Sequence, residues 1–276
     1  MEIILKTKKT ESAMALLFGI KDLSIEENLI TLEQLEKINR DNIFISLNKN
    51  MFNTDLDLLE KTLKKLNDLK VKGIFFYDLA VLSITKRLNL DLNLIWAADF
   101  LTTNYKTCDF YFNEGVKGVL ISNVLTKEEI IEISKNTKLD TFVNIFGYQM
   151  MAISKRHFIS NYFSYIDEEN NNNVHTISEK DKKYLIDEED YGTKLYSNYI
   201  LNGIKYLKEL KDANVKYIIL NDYNLEEDLF TKIVDIYKKA VTFNYDLNNL
   251  DEEINNLIKT DTGFFDKKTI YKVKKK

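Results

Sequence analysis

Short apolar runs recur along this chain at residues 3–6, 15–19, 43–47, 73–77, 92–97, 118–122, 141–146 and 216–220, most of them β-branched or aromatic. Strands buried on both faces have this composition, because each side chain meets a packed layer whichever way it points. Helical spacing fills many of the gaps. Leu56, Leu59, Leu63, Leu66 and Leu69 form one apolar stripe, with Lys and Asp on the other face. Thr126 and Glu129, just ahead of Ile130, have the spacing of a capping box. The spacing also predicts a helix over 201–210, with Asn214 as its turn. Eight strands alternating with helices predict an α/β fold, a (β/α)8 TIM-like barrel forming a single domain over 1–276.

Composition narrows the class further. Hydrophobic residues at 45% are enough for a substantial core. The single Cys108 excludes an internal disulfide, a cysteine zinc site and an iron–sulfur cluster held by this chain alone, so no cofactor is expected. The first ten residues carry Lys6, Lys8 and Lys9 with no apolar segment of signal length, and no run is long enough to span a membrane, which reads as a cytoplasmic chain. Proline is absent, so turns fall to Asn, Asp and the 8 glycines, and the Asn-rich stretch 170–173 marks a loop.

One interval breaks the rhythm. Residues 148–214, between the seventh and eighth strands, form an insertion far longer than a crossover helix needs, and such loops carry structure or function of their own. The alternation over 158–165 and the resumed pattern at 174–177 predict a hairpin turning at the asparagines. It would sit at the C-terminal mouth of the barrel, where such folds keep their active sites.

The insertion opens on G-Y-Q-M-M-A-I-S-K-R-H-F-I-S-N-Y-F-S-Y from Gly147 to Tyr165. This resembles the cysteine motif of the collagenase-like (U-32) peptidase family, with Gly147, Ser154, Arg156 and Ser160 on matching positions. Met150 and His157 stand where that family has cysteines. Further strings are similar to family segments: Ser46-Leu47-Asn48 with Met51-Phe52-Asn53, Asp78 to Leu82, Thr103-Asn104-Tyr105 with Thr107-Cys108, Glu188 to Thr193, and Gly263-Phe264. Charged residues of the family are replaced at Asn123-Val124-Leu125 and at Ile219 to Tyr223. The strings S-K-R, N-Y-F and T-N-Y-x-T-C resemble a Gram-positive, cysteine-poor branch associated with prephenate-dependent hydroxylation of the transfer RNA wobble uridine. The resemblance implies a cluster-free subunit or accessory factor that positions tRNA or a cysteine-bearing U-32 paralogue.

The alternative it carries is a peptidase. A metal-dependent hydrolase needs about three His or carboxylate ligands, but the chain has only His157 and His175, so no metal site is expected. Ser154 and His157, three residues apart, are candidates for a catalytic dyad on one helical face. His157 can equally fill the lost cysteine's space. Candidate RNA or ligand contacts are Asn48, Asp78 and Asn104, just past the third, fourth and fifth strands, where a barrel binds its ligands, though each also suits a turn. Lys155 and Arg156 suit phosphate. Glu189 and Asp190 belong to an acidic run that could contact a ligand or stay solvated. Tyr162 and Tyr165 could stack bases, and a basic tail over 264–276 could meet phosphates. The net charge of −4 argues against a wholly basic RNA-binding surface.

Overall fold

The computed structural model describes residues 1–9, 14–26, 28–38, 41–98 and 100–267. Its elements are β1 (Glu2–Lys6), β2 (Ala15–Ile20), β3 (Leu29–Ile30), α1 (Leu32–Lys37), β4 (Ile43–Leu47), α2 (Leu56–Asp68), β5 (Gly73–Phe76), α3 (Leu79–Arg87), β6 (Leu94–Trp96), α4 (Tyr105–Asn113), β7 (Gly118–Leu120) and α5 (Lys127–Asn136). There follow β8 (Asp140–Ser154), α6 (Phe158–Ile166), β9 (Val174–Glu179), β10 (Lys182–Glu189), β11 (Gly192–Asn202), α7 (Leu207–Asp212), β12 (Tyr217–Asn221), α8 (Glu227–Ala240) and α9 (Leu247–Leu257). Among the described residues, parallel pairing runs β12-β1-β2-β4-β5-β6-β7-β8 and returns from β8 to β12, closing an eight-stranded barrel. The expected (β/α)8 fold is therefore observed, with a strand overlapping each of the expected runs. No helix among the described residues is long and apolar enough to cross a membrane.

The period of two along each strand separates two cores. Outward residues such as Ile3, Leu5, Ile45 and Leu47 pack beneath the helices. Inward residues such as Ile4, Phe44, Phe75, Phe142, Tyr217 and Ile219 fill the barrel. Phe142 stacks on Tyr217 at 4.4 Å, and Phe44 meets Phe75 and Phe142 edge-on at 5.8 Å each. Lys72 lies 5.5 Å from the Phe44 ring centroid and 5.4 Å from that of Tyr217. Phe44, Phe142 and Tyr217 come from the starts of their strands and Phe75 from the third position of β5, and together they fill the N-terminal part of the barrel. Two residues further along the same inward rows stand Ser46 and Asn144, so polarity is confined to the C-terminal mouth.

Helix ends obey local chemistry. Thr126 and Glu129 form the expected reciprocal capping box at the start of α5. Asp78 and Asn104 cap α3 and α4. The stretch 201–210 differs from expectation. β11 runs on to Asn202 and only Leu207–Asp212 is α-helical, because Leu201 still pairs with Gly147 across the sheet. Asn214 takes the left-handed turn, at φ 67°.

The interval 148–214 is mostly sheet. β8 does not stop at Phe146; it continues to Ser154 and pairs antiparallel with β11, which extends through β10 to β9. The hairpin expected across the asparagines is replaced. Phe158–Ile166 is a helix, and the β9–β10 hairpin turns at Lys180, in left-handed conformation at φ 56°. The alternation had hidden two apolar stripes at helical spacing. Of the basic tail, Lys267 pairs with Asp261 at 2.8 Å, and residues 268–276 lie outside the described residues.

Gly147 marks where β8 leaves the barrel. Its φ is +111°, and a Cβ there would sit 2.4 Å from the Asn221 carbonyl oxygen. Gly147→Ala must therefore strain the backbone and push β8 off β12 together. We expect it to lower stability by about 2–4 kcal/mol, read as a reduced urea midpoint at unchanged slope.

Candidate functional site

The inward polar residues enclose a cavity of about 50 Å³ in the mouth, lined by Asn48, Asn123, Asn144, Gln149 and Asn221 among others. Lys6, the last residue of β1, forms an ion pair of 2.5 Å with Glu26 on the loop after β2. The second Glu26 oxygen accepts from Ser46 Oγ at 3.2 Å and Asn48 Nδ2 at 3.1 Å. Asn48 Oδ1 in turn accepts from Ser24 Oγ at 2.7 Å and Ile25 N at 3.0 Å. The carboxylate is largely buried, and this set of donors balances its desolvation. Asn123 donates weakly to Gln149 at 3.4 Å, while its own buried Oδ1 meets no hydrogen-bond donor among the described residues.

A second set of charges joins the inserted sheet to the barrel. Lys194 is 2% exposed and lies 3.9 Å from Asp187 and 3.6 Å from Glu189. It reaches the Ile25 carbonyl on the barrel side at 3.4 Å. Tyr223 donates to Asp187 Oδ2 at 2.6 Å and stacks on Tyr196 at 4.0 Å. Open grooves of about 430 and 570 Å³ flank the sheet, and Glu189 lines both, with Asp190 lining the first.

The far end of β8 is held by one carboxylate. Glu188 accepts from the backbone N–H groups of Ile159 at 2.8 Å and Ser160 at 3.1 Å, and also from the Ser160 hydroxyl. It caps α6 from a neighbouring strand, a task the N-cap residue His157 does not perform. Thr193 Oγ1 accepts from Phe158 N at 2.9 Å, with its proton shared between Arg156 O at 2.7 Å and Glu188 Oε2 at 2.9 Å. Gly192 makes this approach possible. At φ +138°, any Cβ there would lie 2.0 Å from the Ser154 carbonyl oxygen.

The candidate residues thus fall into separate places. Asn48 belongs to the cavity network. Asp78 spends both oxygens on structure, accepting from Ala80 N at 2.8 Å and Met51 N at 2.9 Å. Asn104 Oδ1 accepts from Thr107 N at 3.0 Å. The Lys155 ammonium sits 3.8 Å from the Phe52 ring centroid, and Arg156 is exposed. Ser154 ends a strand and accepts from Arg156 N at 3.2 Å, while His157 Nδ1 faces Glu188 at 3.5 Å. The two therefore do not share a helical face, and no hydrogen bond joins their side chains among the described residues. Lys6, Glu26, Asn144, Gln149 and Lys194 were not among the sequence candidates. The inward register of Lys6 and Asn144 was the available signal; Glu26, on a loop, left none.

A cysteine-ligated cluster does not fit these residues. Cys108 is fully buried on the inner face of α4, and that burial pushes its thiol up to about 11. Met150 faces the cavity and offers a thioether, and His157 lies past the end of β8. No group of three His, Cys, Asp or Glu side chains able to hold a metal ion occurs among the described residues.

Comparison with known proteins agrees with this architecture. Residues 11–273 match the sequence model of Peptidase family U32. The tRNA hydroxylation protein P2 of Bacillus subtilis is 27% identical over 249 residues, covering 83% of this chain and 81% of that one. An uncharacterized protease of Methanocaldococcus jannaschii is 28% identical over 57% of this chain and 41% of its own. The tRNA hydroxylation protein P1 of Bacillus subtilis is 25% identical over 44% of this chain and 29% of its own.

Burial alone would raise the pKa of Glu188, but donation from Ser160, Thr193 and the backbone of α6 outweighs it and holds the carboxyl below its ordinary value. A depressed carboxyl stabilises the fold above its unfolded value and loses that contribution as it protonates. Protection of the α6 amides against hydrogen exchange should therefore be full above pH 4.5 and fall as the pH drops below it, through the lowered folded value. Glu188→Ala should remove about 1–2 kcal/mol of that protection at neutral pH and abolish its acid dependence.

Proposed function

The chain belongs to peptidase family U32, and on that premise we propose that it serves hydroxylation of the transfer RNA wobble uridine as a cluster-free subunit. In this role it positions tRNA or a cysteine-bearing paralogue and leaves the redox chemistry to another chain. The observation that carries the reading is the similarity to the tRNA hydroxylation protein P2, which extends over most of both chains. The donor set supports it: the lone thiol is buried and held protonated, so it offers neither a cluster ligand nor a nucleophile. The peptidase alternative gains nothing from Ser154 and His157, which lack the geometry of a nucleophile and its base.

Lys155 and Arg156, exposed together past β8, are the residues assigned to phosphate, and Glu189 and Asp190 border the grooves beside them. Deleting the gene should abolish or sharply reduce 5-hydroxyuridine-derived nucleosides in total tRNA by mass spectrometry, with recovery on re-expression. Unchanged levels would remove the reading. Lys155→Ala with Arg156→Ala distinguishes its two forms. If the chain holds RNA, the double variant weakens tRNA binding and lowers the slope of log K against log salt by about 1–2. If it only supports the paralogue, binding and modification are unaffected.

A further inference from the structure

Helix α6 is apolar on two adjacent faces, about 100° apart around its axis. Ile159, Phe163 and Ile166 face inward, with Phe163 packed 5.2 Å from His175 of β9. Phe158, Tyr162 and Tyr165 follow the same spacing on the outside, at 48%, 58% and 88% exposure. Rings at i, i+4 and i+7 form a continuous stripe, and a stripe of this kind on a folded chain marks a contact surface.

The charges at its ends identify the occupant. Arg156 precedes the helix, while Asp167, Glu168 and Glu169 follow it; all are exposed, and none has an ion-pair partner among the described residues. This distribution opposes the helix's own dipole, which favours acids at the N-terminus and bases at the C-terminus. It does, however, complement an identical helix laid antiparallel. There Arg156 of each copy meets the acidic end of the other, and the aromatic stripes face one another. We infer that α6 is a homodimer contact, in which a second copy of this chain docks its own α6 antiparallel about a two-fold axis.

The rings expose roughly 400 Å² per copy, taking about 200 Å² for a whole aromatic side chain. Two copies together contribute about 800 Å², below the roughly 1,200 Å² at which standard interfaces begin, so the contact is weak and transient and is sought at micromolar concentrations and above. Its formation needs neither RNA nor a paralogue, although it shares Arg156 with the phosphate contact proposed above.

Sedimentation equilibrium of the full chain without nucleic acid, from low to high micromolar concentration, tests the contact. The wild type should fit a monomer–dimer equilibrium. Tyr162→Asp with Tyr165→Asp should weaken it about a hundredfold, with an unchanged circular dichroism spectrum. Arg156→Glu alone, or Glu168→Lys with Glu169→Lys alone, should each weaken it about tenfold, since every broken pair is lost twice by symmetry. Mixing those two charge variants should restore association, because each end then meets its opposite. A monomer at all concentrations, a dimer indifferent to the tyrosine changes, or no restoration on mixing would overturn the inference. So would a monomer whose Tyr162 and Tyr165 changes weaken only RNA binding.

Discussion

The aromatic plug at the bottom of the barrel is the constraint on which the rest depends. Phe44, Phe75, Phe142 and Tyr217 bring large rings to one level of the interior, at centroid separations of 4.4 Å for the stacked pair and 5.0–5.8 Å for edge contacts. Rings at these distances fill space as densely as a crystal does and leave no room for water. An inward polar group at that level would pay its full desolvation cost. Inward residues can therefore become polar only further along each strand, as at Ser46, Asn48, Asn144 and Lys6. The binding end of the barrel is set by what the opposite end has already filled.

The insertion is positioned by the same economy of backbone bonds. Because β8 pairs with β12 and then with β11, it belongs to the barrel and to the inserted sheet in turn, without a flexible joint between them. Gly147 lets the strand change partners, and Gly192 brings β11 close enough for Thr193 and Glu188 to secure the tip. This geometry also separates the two positions at which the family resemblance expects cysteines. Met150 remains beside the cavity, opposite Tyr196, and His157 lies beyond the end of the strand.

The barrel was legible in the sequence because its signal is local. Each barrel strand overlaps a short, mostly apolar run, and Thr126 with Glu129 shows its cap within one turn. The insertion was not, because α6 carries two apolar stripes on neighbouring faces. Phe158 to Tyr165 then reads as an alternation, although Ile159, Phe163 and Ile166 form one helical face and Phe158, Tyr162 and Tyr165 another. Asp78 and Asn104 were found where strand ends predict them, yet their side chains close helix N-termini, the alternative that short polar residues always bring. Lys6 with Glu26 and Lys194 with Asp187 depend on contacts between distant segments, which no spacing along the chain records.

The charges in the mouth bear on what it can do. Lys6 is tied to Glu26, and Lys194 lies between Asp187 and Glu189. Removing either partner would strand the other in a largely dry site, so these groups serve better to shape the mouth than to turn over within it. What remains available is amide chemistry, at Asn123, Asn144 and Gln149, which orients a neutral polar group without transferring a proton. The mouth thus presents neutral amides, while the exposed cations Lys155 and Arg156 lie past β8 at the tip of the inserted sheet.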